Sequence, residues 1–159
     1  MHIHFMQMYK EKELSCLEQH NNEGTKYDLA RYRIETAKSD LRSAKLLLDA
    51  GEYRGANNRA YYAIYHAVSA VHALAGKAYK RHKDALSNFN KDYIHTEVFP
   101  KEYGRRIAEA EEIRHASDYD DFYVATKAEV EKQIETAVKL TALIEQYCKE
   151  DSEDEKVLP

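Results

Sequence analysis

Scarcity is the first thing this chain offers: five glycines, two prolines, two cysteines and no tryptophan in 159 residues. Gly24, Gly51, Gly55, Gly76 and Gly104 are scattered, so there is no glycine-rich phosphate loop of the Walker or Rossmann kind. Cys16 and Cys148 form neither a zinc pattern nor a disulfide framework. No apolar run approaches the ~18 residues of a membrane span, and no stretch reads as a signal peptide, so a reducing cytoplasm is the expected location. Basic charge is also lacking. The net charge is −4, and Asp151, Glu153, Asp154 and Glu155 against Lys156 supply most of it. The near-neutral body projects no global field toward nucleic acid, so a polyanion would have to meet a local patch. The best such patch is Lys77-Ala-Tyr-Lys80-Arg81-His82-Lys83, although a run of this kind is more often a solvated loop.

Helical spacing of apolar residues is what the chain has in quantity. Residues 1–24 read as a polar extension, with a helical stretch around Tyr9–Gln19. Thr25 with Asp28 resembles a capping box. Beyond it Ala30, Ile34, Ala37, Leu41, Ala44 and Leu48 mark a long helix that Gly51 stops. The spacing predicts helices over residues 27–50, 54–75, 82–98 and 127–149, with a shorter one near 101–117. Thr126-Lys-Ala-Glu129 reads as a second capping box. Short connections between amphipathic helices imply antiparallel neighbours. The expected fold is all-α, an up-and-down antiparallel bundle of four or five helices over residues 25–150, followed by an acidic tail at 151–159. The extension and the tail lack a sustained core stripe and should be dispensable for folding.

The most informative segment is Ala56–Ala70. On a helix, Ala56, Ala60, Ala63, Ile64, Ala67, Ala70, Val71 and Leu74 form one apolar arc. Arg59, Tyr62, His66 and Ser69 form a polar stripe on its flank, too near the core for ordinary solvated surface. Arg59 and His66 stand seven positions apart, which returns the helix to within ~20° of its start. The spacing alone is weak, since roughly one such pair is expected by chance among nine Arg and eight His. The helix, the flank position and the adjacent Tyr61-Tyr62-Ala63 give it weight.

Other constellations are weaker. Glu112–His115 and Asp92–His95 each set a carboxylate and an imidazole one turn apart, as in di-metal bundles. Such sites also need inward carboxylates from two further helices, and the core stripes of residues 30–48 and 130–148 read as having none. No metal and no cofactor is expected. No serine or cysteine sits in a recognisable triad context. The thirteen tyrosines are mostly core-edge residues on this reading, with base stacking as the functional alternative.

Arg59 and His66 have two readings: a structural ion pair with a core-edge histidine, or metal-free phosphodiester cleavage. An imidazole can exchange a proton with a ribose 2′-hydroxyl or a leaving oxygen near neutral pH. A guanidinium offers a planar donor fork to a phosphate and stabilises charge that develops in the transition state. Two such groups suffice in principle for RNA, whose 2′-hydroxyl is the nucleophile, and not for DNA.

Four blocks in order resemble the HEPN domain (higher eukaryotes and prokaryotes nucleotide-binding), in its small stand-alone prokaryotic branch. They are Ala44-Lys-Leu-Leu-Leu48 with Gly51-Glu-Tyr53, Asn58-Arg59-Ala-Tyr61-Tyr62-Ala63-Ile-Tyr-His66, His82 at the third helix, and Arg114-His-Ala-Ser-Asp118-Tyr119-Asp120. The resemblance spans about residues 30–148. It implies a dimerising helical bundle whose Arg-x4–6-His motif, here Arg59 and His66, is completed across two subunits. It also implies either of two functions. One is a metal-independent endoribonuclease of toxin–antitoxin type acting on RNA. The other is a non-catalytic nucleotide- or partner-binding module associated with a nucleotidyltransferase, which in paired systems serves as the antitoxin. Asn58, Tyr62, His82, Arg114 and Asp118 are the further candidate binding residues, with an Arg114–Asp118 ion pair as the structural default. Two positions depart from the pattern: Ala60 replaces a polar residue after the arginine, and Val68 stands where adenylylated relatives carry tyrosine. A homodimer through the second helix is expected, with the small residues Ala63, Ala70 and Ala73 admitting a close partner backbone.

Overall fold

The computed structural model describes residues 24–157. The expected helical stretch at Tyr9–Gln19, Cys16 and the rest of the extension before Gly24 lie outside the described residues. Five α-helices follow: α1 (Lys26–Asp49), α2 (Tyr53–Leu74), α3 (His82–Phe89), α4 (Glu102–Tyr119) and α5 (Lys127–Val157). There is no strand among the described residues.

The helix boundaries follow from local chemistry. Thr25 Oγ1 accepts from the Asp28 backbone N–H, and the Asp28 carboxylate accepts from the Thr25 N–H at 2.8 Å, which closes the expected capping box. Helices α1 and α2 each end on a left-handed glycine, Gly51 (φ 75°) and Gly76 (φ 69°). The bonds Gly51 N–H to Leu48 O and Glu52 N–H to Leu47 O form the paired C-terminal closure typical of such glycines. Gly76 to Ala73 and Lys77 to His72 repeat it.

Two boundaries and one cap differ from the spacing. The third helix is not continuous over 82–98. It passes at Asn90–Ile94 into a single π-turn, closed by His95 N–H to Asn90 O, and the backbone then reverses at Glu97 (φ 62°). At Thr126 the hydroxyl accepts from the Glu129 N–H as expected, but the Glu129 carboxylate does not complete the box. It is taken by Asn57 Nδ2 at 2.9 Å and by the Tyr123 hydroxyl, which tie the 120–126 loop to α2. At the other end α5 shows no break at residue 150. The acidic segment forms its last turns, where Glu155 pairs with Lys26 at 3.4 Å.

Residue pairings give the directions. Leu47 meets Gly55 and Asp40 meets Arg59, so α1 and α2 run antiparallel. Lys38 with Glu145 sets α5 against α1, and Glu109 with Lys132 sets α4 against α5. The bundle is therefore up-and-down, with the short α3 packed beside α2. Helix α2 is its central member, touching α1, α3, α4 and α5. The predicted arc from Ala56 to Leu74 is buried throughout, joined by Tyr61, Val68 and Ala73. One expectation fails here. Ala63, Ala70 and Ala73 face their own bundle and leave no small-residue surface for a partner's backbone. Their size serves close packing of α2 against its neighbours.

Candidate functional site

The polar stripe of α2 is organised from outside the helix, by Asp40 of α1. Its Oδ1 accepts from Arg59 Nη1 at 3.0 Å, and its Oδ2 lies 2.8 Å from His66 Nδ1. One carboxylate thus grips both ends of the Arg-x6-His spacing. Asp40 is only 8% exposed, so it sits on the buried face of α1. This corrects the reading that the 30–48 stripe carries no inward carboxylate. The signal is present in the sequence: Asp40 stands three residues after Ala37 and four before Ala44, both fully buried. Among the described residues, no three His, Cys, Asp or Glu side chains come close enough to hold a metal ion.

The grip fixes an orientation. A carboxylate oxygen can only accept, so His66 Nδ1 carries the hydrogen and Nε2 is left as the nitrogen free for chemistry. The His66 side chain is 27% exposed and that of Arg59 40%, so both reach solvent from a partly sheltered position.

Around this dyad the structure gathers most of the other candidates. The Tyr62 ring has two guanidiniums within cation–π reach, with Arg59 Cζ 4.8 Å and Arg114 Cζ 5.7 Å from its centroid, and Arg114 Nη2 donates to its hydroxyl at 3.4 Å. Asp118 pairs with Arg114 Nε at 3.4 Å, one turn along α4. His82 stacks on Tyr65 at 3.9 Å between centroids, and its Nδ1 lies 3.3 Å from the Tyr61 hydroxyl. Burial, then the Arg114 cation, then His66 hold the His82 pKa below the usual histidine range. His82 is therefore a neutral aromatic surface at neutral pH. Burial also pushes the Tyr61 hydroxyl up to about 12, so it stays protonated. Asn58, one turn before Tyr62 on α2, makes none of these contacts: its Oδ1 is enclosed with no hydrogen-bond partner among the described residues. Tyr65 and Asp40 are the members that sequence reasoning missed. Tyr65 had only its place in the Tyr-rich run to mark it.

The arrangement offers two exposed donors to an anion, one oriented imidazole and several flat rings. Its match to known proteins is direct. The HEPN domain family matches residues 30–147. The chain belongs to the HEPN family. Among relatives, a UPF0332 protein of Thermotoga maritima is 32% identical over 96 residues, covering 60% of this chain and 73% of that protein. A Methanocaldococcus jannaschii protein named "Putative toxin MJ0605" is 33% identical over 86 residues, covering 54% of this chain and 64% of its own length. The crystal structure of TT1696 from Thermus thermophilus shares the fold, with a TM-score of 0.63 at 24% identity over 74% of this chain and 96% of that one. This HEPN chain is thus similar to proteins whose names carry a toxin designation. Among its described residues, no helix is long and apolar enough to cross a membrane.

Proposed function

We propose that this HEPN protein is a toxin-type endoribonuclease that cleaves RNA without a metal ion, through Arg59 and His66. The observation that carries the reading is the shared grip of Asp40, at 3.0 and 2.8 Å, on the guanidinium and the imidazole. A purely structural arginine would not need a histidine oriented beside it with Nε2 outward. In the reaction, His66 Nε2 takes the proton of a ribose 2′-hydroxyl as O2′ bonds to phosphorus. The bond from phosphorus to the 5′ oxygen breaks, and that oxygen leaves with a proton from an imidazolium. The products are a 2′,3′-cyclic phosphate and a 5′-hydroxyl. Arg59 holds the non-bridging oxygens and stabilises the added negative charge. Asp40 acts through His66, stabilising the imidazolium.

One stripe supplies a single imidazole, whereas the reaction moves two protons. A two-fold dimer that apposes the two exposed stripes would provide His66 of the partner subunit as the acid. The contact would be made by the side chains of Tyr62, Tyr65 and Arg59, which reach solvent, since the alanines of α2 do not.

The test is incubation of the purified full chain with RNA in EDTA, beside His66→Ala, with end-group analysis. Cyclic phosphate ends that persist in EDTA and vanish in His66→Ala are expected. Activity lost to chelation and restored by a divalent ion would overturn the mechanism. Mixed Arg59→Ala and His66→Ala chains should partly complement if the site is shared between subunits.

A second reading has its own observation. Ala60, in the position after the arginine, is fully buried and can offer nothing to a substrate. This favours a nucleotide- or partner-binding module, working with a nucleotidyltransferase, whose Tyr62, His82 and Arg114 cluster binds without cleavage. RNA bound by the wild-type chain but left intact would select it.

A further inference from the structure

The stripe of α2 does not end at His66. Ser69 follows on the same flank, about 4.5 Å further along the axis at ~1.5 Å per residue, and there it opens on a separate small cavity. Arg33 of α1, Tyr65, Ser69 and His72 of α2, and Lys77 and Tyr79 of the connector to α3 enclose a polar space of about 120 Å³. Tyr65 belongs to both places, since its ring also lies 5.6 Å from that of His66.

The chemistry of this cavity is one-sided. Two cations and three hydroxyl-bearing side chains line it, and no carboxylate does. Asp92, which is not part of the lining, pairs with Lys77 at 3.5 Å. Two of its polar atoms, Arg33 Nε and His72 Nδ1, are enclosed with no hydrogen-bond partner among the described residues. His72 is 2% exposed. Its Nε2 lies 2.8 Å from the Ala85 carbonyl, which can only accept, so Nε2 holds the hydrogen. Burial holds the ring in its neutral form, and Nδ1 is consequently a bare lone pair. Buried polar atoms in folded proteins almost always find partners. A partner for this set must accept from a guanidinium, an ammonium and a hydroxyl, and donate one hydrogen to an imidazole.

We infer that Arg33, Ser69, His72 and Lys77 form a phosphate subsite, which takes the phosphate next to the cleaved one in a bound RNA strand. Arg33 and Lys77 supply the charge, Ser69 and Arg33 Nε the hydrogen bonds, and His72 Nδ1 accepts from a hydroxyl of the same nucleotide. The subsite gives the basic run from Lys77 to Lys83 a task that a solvated loop would not have. It rests on the reading of Arg59 and His66 as an RNA site, and binding tests it apart from cleavage.

The experiment is fluorescence anisotropy of a short labelled oligoribonucleotide with the full chain carrying His66→Ala, which keeps the strand intact. The dissociation constant is measured across a salt series. Adding Arg33→Gln or Lys77→Gln should weaken binding and reduce the slope of log K against log salt by about 0.7, the share of one phosphate contact on a single strand. Lys139→Gln, at an exposed ion pair on α5, should leave the slope unchanged. Equal slopes in all variants, an equal loss in Lys139→Gln, or no binding at all would overturn the subsite. If circular dichroism shows Arg33→Gln misfolded, Lys77→Gln on the exposed connector decides alone. Binding that depends on Lys77 with no cleavage by the wild-type chain would remove the nuclease and keep the subsite. Cleavage with unchanged KM by Arg33→Gln and Lys77→Gln chains that retain His66 would do the reverse.

Discussion

Asp40 and His66 meet at 2.8 Å through a carboxylate oxygen and Nδ1, bridging α1 and α2 across 26 positions of chain. The contact sets the tautomer of the histidine, while the other carboxylate oxygen holds the Arg59 guanidinium beside it. Asp40 is thus a positioning residue for the proposed chemistry.

Asp40→Asn keeps the shape of the side chain and removes its charge. Cleavage should fall by about 100-fold in kcat with little change in KM, the range typical of an impaired general base. A kcat that falls only in proportion to the folded fraction would assign Asp40 to folding alone.

Stability should depend on pH through His72. Burial lowers its pKa in the folded state, so below the unfolded value of about 6.5 the unfolded chain binds more protons than the folded one. Stability is therefore complete above about pH 6.5 and falls as the pH drops below it. His82, also lowered, acts in the same direction. Urea denaturation from pH 8 to pH 5 measures the slope, and His72→Gln should reduce it.

The centre of α2 should tolerate little added volume. Ala67 is fully buried, and Ala67→Leu should destabilise the fold by about 1–3 kcal/mol. Ile64→Ala, also fully buried, should lose about 2–5 kcal/mol through the cavity it leaves. Chemical denaturation midpoints check both. An unchanged midpoint for Ala67→Leu would mean that α2 is looser than the structure has it.

Cys148 should be inert in the native protein. Burial pushes its thiol up to about 12, so almost no thiolate exists at neutral pH. In a Cys16→Ser background, a thiol reagent should react only after denaturant is added. Stoichiometric reaction under native conditions would contradict the burial.

A chain ending at residue 150 should still melt cooperatively. The turns beyond it are tied to the start of α1 by an exposed pair, Lys26 with Glu155, and exposed pairs contribute little. Loss of a cooperative transition would make the last turns of α5 part of the core.

Much of this architecture is legible in the residues. Thr25 with Asp28, and the glycines at 51 and 76, place three helix ends, because caps and left-handed glycines act locally. The apolar arc of α2 is equally plain, since small and branched residues recur there at the helical period. Other features are not local. Asp40 reads as one charge among many on α1 until its register between Ala37 and Ala44 is weighed. The π-turn at Asn90–Ile94 leaves no trace in the periodicity, because Tyr93 and Ile94 continue the apolar spacing across it. The last turns of α5 carry no apolar stripe, and a polar contact with α1 accompanies them. Tyr62, His82 and Arg114 lie on three helices, and only the packing of α3 and α4 against α2 brings them together.

Helix α2 is enclosed on most sides, and the candidate reactive groups ride on it. Its amides should be among the last to exchange with deuterium, opening only when the whole domain opens. The same protection limits how the site can be controlled. A helix this deep cannot be switched off by fraying or by a local shift in register. Any partner that silenced the proposed activity would therefore have to cover the narrow exposed strip of side chains, or change them covalently, and leave the scaffold as it is.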